Sequence, residues 1–394
     1  MAKQSKLRLG IVGIGNMGKS HIANIVNGSV PSVELTAICD SDAAALKAYP
    51  DYAHYDDSKK MIRSGEVDAI LVATPHYDHT TIGIDGLKAG LHVLVEKPLA
   101  VHKADAERMI AAYNKRPNKK QQFGAMFNQR TDRRYQKIKE LVESGEIGEL
   151  QRVNWIITTW YRTQTYYNSG GWRATWAGEG GGVLLNQCPH QLDLIQWLCG
   201  KPSKVNATIG IGKYHDIEVE DEVTAFLEYP NGATGVFITS TGEAPGTNRL
   251  EIVGTKGKLV ADGPGLTFWR NRETTDKHLA TSPNGFGTPE CWKCDVPVGG
   301  GGGQHSEILE NFAQACLGKA KLMAPAVEGI NGVELACAML YSGFTGKPVD
   351  LPMNGAVYER HLKKLIKDAA AKPKRRKAKA KTKKAASSDF DNSF

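Results

Sequence analysis

The chain has 394 residues, 41% of them hydrophobic and 23% charged, an ordinary globular balance with apolar material enough for two cores. No run of roughly 18 apolar residues occurs, which excludes a transmembrane helix, and the glycine-broken stretch after residue 9 is no secretory h-region, so a cytoplasmic location and no membrane partner are expected. Most of the +8 net charge lies in residues 372–394, where nine Lys or Arg face two Asp; that segment reads as a disordered basic tail on a near-neutral body, and nucleic acid is not an expected partner.

From residue 7 onward, short apolar runs alternate with helix-like ones. Runs 7–12, 33–39, 69–73, 92–95 and 122–126 read as buried strands, and 17–27, 42–48, 58–63, 79–89 and 103–115 as helices. That alternation predicts parallel strands joined by right-handed crossovers, a doubly wound α/β domain over residues 1–126. After a helix at 133–144 the pattern changes. Strands at 153–161, 205–212, 222–229, 234–239, 250–253 and 258–261, with turns such as Pro230-Asn231-Gly232, predict an α+β domain over 127–371 with a large, mostly antiparallel open sheet. Helices are expected at 184–198, 307–317 and 330–341. Residues 274–303 are polar and end in five glycines, which reads as a long mobile loop.

Gly13-Ile14-Gly15-Asn16-Met17-Gly18 matches G-x-G-x-x-G between a strand and a helix. There Gly13 permits a tight turn, Gly15 lets backbone approach a pyrophosphate, and Gly18 allows close packing of helix on strand. The helix N-terminus then faces the phosphates. Asp40 ends the second strand, 22 residues beyond Gly18, where a carboxylate accepts from a ribose diol and repels a 2′-phosphate. NAD rather than NADP is the expected cofactor; a helix N-cap is the alternative use of Asp40.

Further motifs accompany this fingerprint: Ala73-Thr74-Pro75 followed by His79, then Glu96-Lys97-Pro98, and Gly180-Gly181-Gly182 leading to Asn186, His190 and Asp193. Glu220-Asp221 and Gly254-Thr255-Lys256-Gly257 come after them. Together, over about residues 7–350, these resemble the glucose–fructose oxidoreductase, inositol dehydrogenase and rhizopine-catabolism (Gfo/Idh/MocA) family. The resemblance implies a Rossmann domain plus an open-sheet domain that packs in homodimers or homotetramers, and a dehydrogenase acting on a carbohydrate or cyclitol. It also implies that Asn16, Met17, Thr74, Pro75, His79, Glu96 and Lys97 join the glycines and Asp40 around the cofactor. The family's commoner pattern has aspartate where this chain has Asn186, and asparagine cannot take a proton, though it can hydrogen-bond a hydroxyl.

Lys97 follows the carboxyl end of a parallel strand, the edge where open α/β sheets bind ligands; there it can stabilise a developing alkoxide. His190 is the expected general base, with Asp193 spaced i, i+3 to share its helix face. Asn186 and Asp193 are expected to position hydroxyl and imidazole. Tyr161, Arg162, Tyr166, Trp172 and Arg173 are the expected substrate contacts, since aromatic faces stack on sugar rings and arginines fix hydroxyls or carboxylates. Trp160 and Trp176 read equally as core.

Cys291 and Cys294 have the spacing of half a zinc site, but no second pair appears and no metal is expected. Cys188 is expected only to pack, and the odd count of seven cysteines points to reduced thiols. Three alternatives stay open: a glycosidase that retains NAD and oxidises its sugar transiently, a non-catalytic dinucleotide- or sugar-sensing protein, and a nucleic-acid partner protein acting through the tail.

Overall fold

The computed structural model describes residues 6–371; the expected basic tail lies outside them. Two sheets organise the chain. The first comprises β1 (Leu7–Val12), β2 (Val33–Cys39), β3 (Ala53–Tyr55), β4 (Ala69–Val72), β5 (His92–Val95) and β6 (Phe123–Ala125), all parallel, in the order β3-β2-β1-β4-β5-β6. Every residue of β4 is buried, as a parallel strand covered on both faces requires. Strand order reverses between β1 and β4, and the crevice beyond their carboxyl ends is where such sheets bind ligands.

Helices α1 (Asn16–Val26), α2 (Ala43–Lys47), α3 (Ser58–Arg63), α4 (His76–Ala89) and α5 (Lys103–Asn114) connect these strands. Asp42 and Asp57 start α2 and α3 by accepting the backbone N–H of Ala44 and Lys59, each at 2.8 Å, and Asp132 does the same for α6 (Arg133–Glu143). Each cap satisfies a donor that the first turn leaves orphaned.

The second sheet has nine strands: β7 (Leu150–Ile157), β8 (Lys204–Ile211), β9 (Glu220–Glu228), β10 (Thr234–Ser240), β11 (Asn248–Gly254), β12 (Gly257–Asp262), β13 (Gly265–Asn271), β14 (Cys291–Asp295) and β15 (Val349–Asp350). Their order is β14-β13-β12-β11-β7-β10-β9-β8-β15, with only β7 and β10 paired in parallel. One face is packed and one open: Val223, Ala225 and Leu227 of β9 are buried, and Phe226 between them is exposed, the period of two that a half-covered sheet demands.

Six helices complete the fold: α7 (Gln164–Tyr167), α8 (Pro189–Cys199), α9 (Thr275–Thr281), α10 (Gln304–Cys316), α11 (Ala326–Thr345) and α12 (Gly355–Ala371). Mostly buried α11 packs on β8 and α8 but also on α5 and β6, while Glu310 of α10 accepts from the Ser32 amide and hydroxyl at 3.0 and 2.7 Å. These late helices knit the two sheets together. No helix among the described residues is long and apolar enough to cross a membrane.

Sequence periodicity and structure differ at identifiable places. Residues 274–303 are not a continuous loop; they hold α9 and the edge strand β14, whose residues are almost all exposed. A strand with both faces in water has no alternation to display. The helix expected at 184–198 begins at Pro189, and 183–187 form hydrogen-bonded turns. β3, β13, β15 and α12 had no counterpart in the periodicity.

Candidate active site

The glycine motif forms a tight cradle. Gly13 has φ +96°, and a Cβ there would meet the backbone of Ala73 and Thr74 within 2.8 Å, so β1 turns directly under the next strand's exit. A Cβ on Gly18 would lie 2.0 Å from the Gly13 carbonyl, which is how closely α1 packs on the turn. Gly15 faces open space. Asp40 pins the loop from β2: one oxygen accepts the Ile14 N–H at 2.6 Å and the other the Asp42 N–H at 2.8 Å. Asp42, not Asp40, is the cap of α2. No side chain caps α1 and no acidic residue lies in its first turn, which leaves its positive dipole end for an anion.

A cleft of about 1040 Å³ runs from this cradle past Asn16, Met17, Thr74 and Pro75 to Lys97, Tyr166, Arg173 and Asn186. The open space at Gly15, the uncapped helix and the Asp40 carboxylate at the cleft wall fit a dinucleotide, with one mononucleotide half beside Asp40 and the other toward Lys97.

Glu96 and His79 lie along this cleft, but their polar atoms have protein partners. Glu96 takes a hydrogen bond from buried His21 at 2.7 Å and another from the Lys97 amide at 3.1 Å. Burial alone would raise its carboxyl; the hydrogen bond and charge of His21 outweigh that and hold it at about 2. The two ring nitrogens of His79 sit 2.9 Å from the Pro98 and Thr74 carbonyls; burial lowers its pKa, and the neutral ring, with one N–H, donates to one of these carbonyls and ties it to α4. Both residues line the cleft expected to hold the cofactor, and Glu96 also supports the Lys97 backbone.

Lys97 Nζ donates to the Asn186 backbone carbonyl at 3.1 Å, spanning the two units. Burial lowers its ammonium pKa, partly offset by Glu96 and Glu179. The Asn186 amide donates to Glu179 and accepts from the Tyr166 hydroxyl at 3.4 Å, and Arg173 donates to that hydroxyl at 3.0 Å while stacking on Tyr166 and Trp172. Tyr166, Trp172 and Arg173 therefore face the cleft. Tyr161 is half exposed and, like Arg162, is not on the cleft wall; Arg162 instead stacks on Trp160 and Tyr166. Trp176 is core, packed on Phe344. The Cys188 thiol contacts Thr239 at 2.9 Å, and burial pushes it to about 12, so it is no nucleophile.

His190 is buried in the first turn of α8, edge-on to the Phe127 ring, and its Nδ1 has no hydrogen-bond partner. Burial, reinforced by the charges of Lys97 and His305, takes its pKa well below the usual 6.5. The expected pairing with Asp193 is not made. Asp193 receives a bidentate pair from Arg130 at 2.6 and 2.7 Å, buried on both sides, because a fork of two donors matches a carboxylate far better than one imidazole edge does.

Four residues absent from the sequence expectation complete the neighbourhood. Arg130, on a single helical turn, and His21, on α1, carried no visible signal. Glu179 immediately precedes the three glycines and could have been noticed there. His305, from α10, stacks on His21 at 5.8 Å and is held at about 4 by burial; it follows the five-glycine run that read as loop.

Two family models match the chain. Residues 7–123 match an oxidoreductase family with an NAD-binding Rossmann fold, and residues 135–260 match the GFO/IDH/MocA C-terminal domain. The chain is 29% identical over 270 residues to myo-inositol 2-dehydrogenase of Thermotoga maritima, covering 65% of this chain and 75% of that protein. It is 36% identical over 203 residues to inositol 2-dehydrogenase of Salmonella typhimurium, covering 50% of this chain and 56% of the relative. Among solved structures, WlbA dehydrogenase of Bordetella pertussis, in complex with NADH and UDP-GlcNAcA, superposes with a TM-score of 0.73 at 27% identity over 89% of this chain and all of that one. Levoglucosan dehydrogenase in complex with NADH shares the fold at 21% identity and a TM-score of 0.74, over 89% of this chain and all of that one.

Proposed function

The chain belongs to the GFO/IDH/MocA family of NAD-binding Rossmann oxidoreductases, and from that premise we propose that it moves a hydride between NAD and a secondary hydroxyl of a sugar, glycoside or cyclitol. The observation that carries this reading is the convergence of Lys97 and Asn186, from different units, at the end of the cleft that begins at the glycine cradle. Bound in that cleft, NAD supplies the hydride acceptor. Gly13, Gly15 and the α1 N-terminus would hold its pyrophosphate, and Asp40 would select a free ribose diol over a 2′-phosphate.

Lys97 donates to the substrate oxygen and stabilises the alkoxide that develops there, in a site partly shielded from water. His190, neutral because it is buried, receives the hydroxyl proton. Asn186 accepts from a substrate hydroxyl, and Trp172 with Tyr166 offers aromatic surface to a ring. The relatives named for inositol and the neighbour crystallised with a nucleotide sugar support a polyhydroxylated ring as substrate. A homodimer or homotetramer through the open face of the second sheet, where Phe226 and Trp269 are exposed, and a cytoplasmic location belong to the same proposal.

The test is an NADH-absorbance assay over inositols, aldoses, uronic acids and glycosides, with products analysed in parallel. Ketone formation matched by NADH supports the proposal. Tight NADH binding with no turnover on any member would replace it by a sensing role, and glycoside cleavage without net NADH by retained-cofactor chemistry.

A further inference from the structure

Glu179 is a carboxylate 1% exposed, and no salt bridge to it occurs among the described residues. One oxygen accepts the Ala174 N–H and the other the Asn186 side-chain amide. A buried carboxylate held by two neutral donors is costly unless its charge has a use. Glutamine would fill the same space at lower desolvation cost.

The use is visible in what lies on the far side of Asn186. Arg173 can only donate, and it donates to the Tyr166 oxygen at 3.0 Å, as Gln187 does at 3.3 Å. With its lone pairs so occupied, the Tyr166 hydroxyl proton goes to Asn186. The Asn186 atom beside Tyr166 and the cleft is therefore Oδ1, and Nδ2 faces Glu179. A carboxylate there accepts and cannot donate, so it excludes the flipped amide.

We propose that Glu179 is a positioning residue that locks the Asn186 amide so that Oδ1 is presented to the cleft as a fixed acceptor for a substrate hydroxyl. The inference rests on the oxidoreductase reading only for the identity of that hydroxyl's owner. Lys97, Arg173, His76, Tyr166 and Glu220 are the charged or titratable groups around the pair, and the cations Lys97 and Arg173 favour the ionised carboxylate. Burial raises the Glu179 carboxyl, while the Ala174 and Asn186 donors and Arg173 oppose it.

Full-length wild type, Asn186→Asp, Glu179→Gln and the double variant Glu179→Gln/Asn186→Asp test this. Glu179→Gln lets the amide flip and should lower kcat/KM about tenfold, mainly through KM. Asn186→Asp places two carboxylates against each other, so that the folded protein must retain a proton between them; activity should fall about 100-fold at pH 8 and recover toward pH 5. The double variant exchanges carboxylate and amide and again leaves an oxygen facing the cleft, so kcat/KM and its pH profile should return to within about threefold of wild type.

A readout independent of turnover is the thermal midpoint against pH. In Asn186→Asp the shared proton is released on unfolding above pH ~4, so stability relative to wild type is present at low pH and lost as pH rises from 5 to 8; the double variant should show no such slope. The proposal is overturned if the double variant is no more active than the product of the single effects and the Asn186→Asp midpoint keeps a constant offset from wild type. Should Glu179→Gln fail to fold, Asn186→Asp against the double variant still decides. Should no substrate turn over, the midpoints decide, and the failure belongs to the dehydrogenase reading.

Discussion

The glycine cradle and the inner end of the same cleft are built on different physics. The cradle is backbone, six consecutive residues and one carboxylate meeting steric demands such as the 2.0 Å that separates a Gly18 Cβ from the Gly13 carbonyl. The inner end is side chains from separate segments, among them Lys97, Tyr166, Arg173 and Asn186, held in a low-dielectric space where each charge needs a partner. Steric demands on backbone leave their mark at fixed spacing. Pairing demands do not, because any of several carboxylates can serve one arginine.

The largest expected effect lies behind the inner end, at buried His190, which feels the charge of Lys97. His190→Ala should lower kcat by about 10²-fold to 10⁴-fold with NADH binding retained. The sign of the pH dependence follows from burial: a base works when deprotonated, and a pKa pushed below 6.5 places the acidic fall of wild-type kcat/KM below that pH. Steady-state profiles from pH 5 to 9 check this. An acidic limb centred at or above 6.5, or one that persists in the variant, would mean that another group is the base.

Next in size is the Arg130–Asp193 pair, which sharpens the same contrast. Asp193→Asn strands a buried guanidinium that Glu328 serves on one side only, and should cost about 3–5 kcal/mol of stability by denaturant unfolding. The acidic limb of the pH profile should stay where it was. A limb that moved would return Asp193 to the role of imidazole partner that its i, i+3 spacing suggested.

That spacing marks how far the sequence was legible. The parallel strands, the antiparallel sheet and the glycine cradle could be read because burial on two faces, burial on one face and a forced turn each leave a pattern. Lys97 and Asn186, which meet at one end of the cleft, stood out in the motifs together with His190. Their partners did not: Asp193 sits at the right interval for His190, yet its carboxylate goes to Arg130, 63 residues away in sequence. The edge strand β14 was missed for the opposite reason, since Cys291–Asp295 has no buried face to betray it. Backbone geometry is local; electrostatic partnership is tertiary.

Lys97→Met keeps most of the side-chain length and removes the donor, so kcat should fall by about 10²-fold, as for loss of one oxyanion donor. The dissociation constant for NADH, followed by fluorescence, should change little, because the cradle is backbone. Loss of cofactor binding in this variant would show that the two ends of the cleft are not separable.

The smallest effect is expected at Asp40, where the cradle does depend on a charge. Its carboxylate already accepts two backbone N–H groups, at 2.6 and 2.8 Å, and those bonds hold the glycine loop whatever nucleotide is present. Asp40→Asn can keep one of them through its carbonyl oxygen, so affinity for NADH should weaken only a few-fold. What it loses fully is repulsion of a 2′-phosphate, on the order of 1–2 kcal/mol for charges a few ångströms apart near a protein surface, and the NADH over NADPH preference should narrow about tenfold. Parallel fluorescence titrations of both cofactors read the ratio directly. If it stays at the wild-type value while both affinities drop together, Asp40 serves the loop and not the ribose, and the cradle is backbone physics throughout.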